Sequence, residues 1–252
     1  MNSRPPHSFA ERFIRLNMMK RFWGSTHVLV SFASSFVMLT ALSVYEFGLY
    51  QLVLAAVALT DTFSVNFFDE VVQNDISRSL SDSRRGTAKR LFHELAFLKV
   101  GLGILSALAL FLGANFVAEI YDKDIGSYIQ IASLLVGVRA VRSTADLFLR
   151  SVVSLRSVGA STIEDIMKLT LVSGFFFFSE LSISRMLVAT LIGASVALLY
   201  VCVGFFREYL VFFRGVDSVK EFLFKGVVKT YGKWVLLRAA VKRTAKSIRP
   251  WL

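Results

Sequence analysis

Four ionisable side chains interrupt an otherwise apolar stretch: Arg139, Arg142, Asp146 and Arg150, within RAVRSTADLFLR at 139–150. At about 100° per residue they share about 80° of one helix face. A guanidinium presents a planar fork of donors that matches phosphate or carboxylate oxygens two at a time. Three such groups on one face could grip a phosphate-bearing ligand, or pair with carboxylates from neighbouring helices. A complementary set lies upstream. Asn66, Asp69, Glu70 and Gln73 share about 100° of helix face, with Asp61 offset from Asp69 by about 80°. Two readings follow. In one, the faces border a common cavity in which Arg139, Arg142 and Arg150 line a cationic substrate path, while Asp61, Asn66, Asp69, Glu70 and Asp146 couple to an ion or hold the arginines. In the other, all of them are buried ion pairs that fasten a bundle.

Other chemistry is poorly represented. YDKD at 121–124 contains the D-x-D pattern with which some membrane glycosyltransferases hold a metal and a phosphosugar. Here it sits in a turn with no domain to complete a site, so a solvated turn is expected and no enzyme activity. His7, His27 and His93 are far apart and share no ligand spacing, and the one cysteine, Cys202, lies in an apolar run. No metal, cofactor or disulfide framework is expected.

The elements that must carry these side chains are read from hydropathy. The chain has 252 residues, 55% of them hydrophobic. Charged residues make up 19%, below the roughly 25% of soluble domains, which points to an integral membrane protein. Six runs approach the about 20 apolar residues that a spanning helix needs: 26–45, 49–72, 100–118, 128–150, 163–181 and 186–206. The expected fold is all-α, a polytopic membrane bundle of about six transmembrane helices. The first run is too long for a cleaved signal sequence. With Arg139 and Arg142 of the fourth run set apart, Lys and Arg divide 25 to 2 between alternate sides, which predicts both termini in the cytoplasm. The net charge of +11 is then mostly a cytoplasmic face opposite anionic lipid, and no nucleic-acid partner is implied.

The expected organisation is an interfacial segment at 1–25, a six-helix bundle at 26–207 and a basic amphipathic tail at 208–252. Phe9, Phe13 and Leu16 flank Arg12 and Arg15 at helical spacing. In the tail, Phe224, Val227, Val228, Tyr231, Trp234 and Val235 form a stripe opposite Lys225, Lys229 and Lys233. Such helices lie in the headgroup plane, or pack on a neighbour. The fourth span needs neighbours of its own. Its ten Ile, Leu, Val and Phe residues contribute roughly −3 to −6 kcal/mol on insertion, against up to about +9 kcal/mol for Arg139, Arg142 and Asp146 at the bilayer centre.

Several stretches resemble a known family. EFGLYQLVLAAVALTDTFSVNFFDEVVQNDISR (46–78) looks like the second helix of polysaccharide and O-antigen flippases, with FGLY at 47–50 opening it. AKRLFHELAFLKVGLGILSALALFLG (88–113) resembles their basic loop and third helix. LFLRSVVSLRSVGASTIEDIMK (147–168) resembles their link between helices four and five. The likeness rests on order and spacing over 10–210. It implies membership of the multidrug/oligosaccharidyl-lipid/polysaccharide exporter superfamily and translocation of a lipid-linked oligosaccharide by alternating access.

Relatives of that type have twelve to fourteen helices, so the likeness covers an N-terminal half. YGKWVLLRAAVKRTAKSIRPWL resembles the approach to a seventh helix. Expected partners are membrane lipids, the lipid-linked oligosaccharide, and a separately encoded C-terminal half or a second copy. A multidrug or cation exporter of the same superfamily and a non-transporting membrane scaffold are the competing readings.

Overall fold

A computed structural model describes residues 9–61, 68–154, 156, 158–178 and 181–234, with side chains for all of these except 9–13, 15, 16, 59 and 61. Helices and turns make up the described residues, with no strand among them. In chain order the helices are α1 (Phe9–Ala41), α2 (Val44–Asp61), α3 (Asp69–Ser81), α4 (Arg85–Leu112), α5 (Ala114–Tyr121), α6 (Gly126–Ser151), α7 (Ala160–Phe178) and α8 (Ile183–Phe213). A ninth, α9, covers 224–234.

Asn17–Ala41 within α1, all of α4 and all of α8 are long and apolar enough to cross a membrane. Their outward faces carry large apolar groups, among them Phe32 and Leu29 on α1, Phe97 and Leu105 on α4, and Leu199 and Val203 on α8. A water-soluble monomer rarely exposes so much contiguous apolar surface. An all-helical bundle with such a surface is compatible with a membrane protein.

Local signals explain several boundaries. Ser43 and Glu46 form a reciprocal cap at the start of α2: Glu46 N donates to Ser43 Oγ at 3.2 Å, and Ser43 N donates to Glu46 Oε2 at 3.0 Å. This is the S-x-x-E capping box. The α5–α6 turn closes through Asp122, which adopts φ +50° while Lys123 N donates to Ala118 O at 3.1 Å. Aspartate is one of the few non-glycine residues that tolerates this conformation. Asp122 of the D-x-D pattern therefore serves as a helix terminator.

The packing places α6 at the centre. It contacts α4 and α8 along much of their length and touches α2, α3 and α5, while α7 lies against α1 and α8. One core, around Tyr50, Val53, Ile129, Met186 and Leu187, joins α2, α6 and α8. A second, around Val72, Ile76, Leu95, Phe148 and Phe213, joins α3, α4, α6 and α8. Phe92, Phe148, Phe205 and Tyr209 meet there with ring centroids 5.1–6.4 Å apart.

Within the span 49–72, α2 is described to Asp61 and α3 begins at Asp69, and 62–67 lie outside the described residues. Two acidic residues, Asp69 and Glu70, occupy the first turn of α3, where a helix dipole favours negative charge. Three sequence expectations need correction. The expected loop 73–99 is instead a helical hairpin of α3, a short turn and the first half of α4, its apolar face buried in the second core. The expected span 100–118 is the end of α4 plus α5, divided at Gly113. Finally, the start of the tail belongs to the bundle. Residues 208–213 continue α8, Phe224 and Val227 of α9 enter the second core, and Phe224 N donates to Glu94 Oε2 at 2.8 Å. Val228, Tyr231 and Trp234 stay exposed. Val235 and the side chains of Phe9, Arg12, Phe13, Arg15 and Leu16 lie outside the described residues.

Candidate functional site

The length of α6 lets one helix present Arg139, Arg142, Ser143, Asp146 and Arg150 on a single side, and all five line a cavity of about 230 Å³. Lys99, Gly103 and Ser106 of α4 form the opposite wall, and Thr60 of α2 contributes an edge. Spacings of four and three residues put the α4 trio on one helix face. Gly103 is required there for space: a Cβ on it would lie 2.2 Å from Ala140 Cβ. α4 therefore approaches α6 closely beside the cavity, and the polar groups around that contact are confined between the two helices.

Each described acid of the cluster has a basic partner. Lys99 Nζ donates to both oxygens of Asp69, at 2.9 and 2.8 Å, with the lysine side chain only 2% exposed. Lys99 lies about 21 Å along α4 from its first residue, so the pair is a deep fastening between α3 and α4. Arg150 Nη2 donates to Asp146 Oδ2 at 2.6 Å, one turn away on the same helix. Asp146 Oδ1 is buried and has no hydrogen-bond partner among the described residues.

Arg142 Nη1 donates to Glu164 Oε2 of α7. The other oxygen of Glu164 faces Arg139 Nη2 at 3.8 Å, outside hydrogen-bonding range. Arg139 is 33% exposed and borders the cavity. Its guanidinium thus has donors to spare. Four cations against three carboxylates leave this cluster with one excess positive charge, in surroundings where a buried charge needs a partner.

Glu164 itself is held from behind. Its carbonyl oxygen would lie 2.7 Å from a Cβ on Gly193 of α8. The stripe Ala189, Gly193 and Ala197 on α8 is buried, and it admits the α7 backbone at that height. The neighbouring Asp165 points the other way, with Oδ2 2.5 Å from His27 Nδ1 of α1. Lys168, one turn further, stands 5.6 Å from the ring centre of Tyr50.

The sequence-derived residues thus fall into groups. Arg139, Arg142, Asp146 and Arg150 share one cavity. Asp69 reaches the cluster through Lys99, while Glu70 is exposed on α3 and does not border the cavity. Asn66 and the side chain of Asp61 lie outside the described residues. Two participants are absent from the sequence-derived set. Lys99 stands just before the third apolar run, and its spacing from Gly103 and Ser106 marks a stripe on α4 that faces the cavity. Glu164, at the start of the fifth run, is the other; His27 pairs with Asp165 and does not border the cavity. No group of three or more side chains suited to a metal occurs among the described residues. Comparison with models of known protein families, with curated proteins and with solved structures finds nothing that matches this chain.

Proposed function

We propose that this chain is a multi-pass membrane transporter module that recognises the phosphate of a lipid-linked oligosaccharide and takes part in flipping it across the membrane. In this reading the spans are Asn17–Ala41 of α1, the α2–α3 unit, α4, α6, α7 and α8, with both termini in the cytoplasm. α6 and α7 are polar for spanning helices. Pairing of Arg142 with Glu164 and of Arg150 with Asp146 lowers the cost of placing them in a bilayer.

The observation that carries the reading is the arginine-lined cavity with its excess positive charge. Its volume narrows the ligand class. Pockets for drug-sized ligands run from about 300 to 1,000 Å³, so a cavity of about 230 Å³ takes a phosphate or diphosphate and leaves a sugar outside. A multidrug or cation exporter would be better served by an acidic pocket. Alternating access sets two bundles rocking about a site between them, and the second bundle is supplied by a separately encoded half or another copy of this chain.

One feature favours the scaffold reading instead: the acids of the cluster are paired, as in a structure held by polar fastenings. Reconstitution separates the two. The chain is expressed with and without a second bundle, placed in liposomes and supplied with labelled lipid-linked oligosaccharide. Flipping that requires the second bundle and is lost in Arg139→Ala/Arg142→Ala supports the transporter. Absence of flipping with every second bundle tried, from a well-folded protein, favours the scaffold.

A further inference from the structure

Resting on the phosphate reading above, we infer that Glu164 is the resident occupant of the anion site formed by Arg139 and Arg142, and that a phosphate-bearing ligand binds by displacing it. Each oxygen of Glu164 faces a different guanidinium. This is how one phosphate would be shared by two arginines, so the carboxylate holds the place of the ligand. The exchange is chemically matched. Both groups accept bidentate hydrogen bonds from guanidinium, and a diphosphate brings more acceptor oxygens and more negative charge than one carboxylate. Arg139, at 3.8 Å and without a hydrogen bond to Glu164, is the member whose donors a phosphate would engage first.

The exchange also has a mechanical consequence. α8 packs against both α6 and α7, but α6 and α7 are not closely packed on each other. Among the described residues, the arginine–glutamate bridge is the polar link between them. Once the ligand satisfies both arginines, no other polar contact of comparable strength among the described residues holds α7 to α6. Glu164 then leaves with α7, which is itself seated on α8 at Gly193. Ligand binding and helix separation become one event.

The test uses the full chain in nanodiscs, with inorganic pyrophosphate as the probe. Binding is measured for the wild type and for Glu164→Gln, which keeps the shape and removes the charge. A site occupied by its own carboxylate shows weakened apparent affinity in proportion to that occupancy. Glu164→Gln should therefore bind pyrophosphate about tenfold more tightly, within the usual range of coupling between sites. Spin labels at exposed Leu134 of α6 and Phe177 of α7, after replacement of Cys202, report the helix separation. In protein with native Glu164, pyrophosphate should lengthen that distance, which keeps the inference testable even if Glu164→Gln does not fold. Pyrophosphate binding with an unchanged distance, or with equal or weaker affinity in Glu164→Gln, overturns the inference and leaves the phosphate reading standing. Failure of the wild type to bind pyrophosphate at all overturns both.

Discussion

Arg142 shows what a single side chain settles. It is one-fifth exposed, borders the cavity and donates to Glu164, so it is both a paired and a wetted group. With Cys202 replaced, Arg142→Cys should react with a small water-soluble thiol reagent in intact membranes, whereas a cysteine at exposed Leu199 of α8, which faces lipid in the proposed transporter, should react slowly. Equal slowness at both positions would mean that the cavity is dry. Arg142→Lys should also lose function, since an ammonium cannot reproduce the two-pronged fork. A second residue-scale prediction concerns the backbone. Val153 adopts φ +54° just beyond α6, where a β-branched residue is strained by about 1–2 kcal/mol. Val153→Gly should raise the unfolding midpoint measured in detergent. No change would mean that Val153 does not keep the positive φ in detergent.

Helix pairs are where sequence reading succeeded unevenly. The charged face of α6 could be read directly, because four charges repeated at three- and four-residue spacing inside one apolar run and the run lay within two residues of the helix found. Lys99 could not, because it stands at the edge of its run and a hydropathy window assigns edge charges to a loop. The hairpin of α3 and α4 shows why that assignment fails. An amphipathic helix needs only one apolar face, supplied here by Val72, Ile76, Leu91 and Leu95, so its mean hydropathy resembles that of a loop. Glu164 was hidden for another reason, since its partners lie 22 and 25 positions away on a different helix. The Lys99–Asp69 pair gives a test at this scale. Removing one partner of a buried pair costs about 3–5 kcal/mol, while replacing both by apolar groups is often neutral. Asp69→Leu alone should lower the detergent melting temperature, and Lys99→Met/Asp69→Leu should restore much of it. An additive loss in the double variant would show that the two groups act independently.

For the chain as a whole, the exposed apolar helices and the sided basic charge argue for one orientation. Lys123 lies in the α5–α6 turn, on the side that holds only two of the basic residues outside α6. In a background without Cys202, Lys123→Cys should be labelled by impermeant reagents from outside the cell, and Ser83→Cys, in the α3–α4 turn, only after the inner face is opened. Labelling of Lys123→Cys from the cytoplasmic side alone would invert the topology. The most direct measurement of all is binding of a polyprenyl diphosphate-linked oligosaccharide to the chain in nanodiscs, compared between the wild type and Arg139→Ala/Arg142→Ala. Saturable binding that is competed by pyrophosphate and lost in the double variant is expected. Equal binding by both proteins, or none by a well-folded wild type, would contradict a phosphate site between α4 and α6.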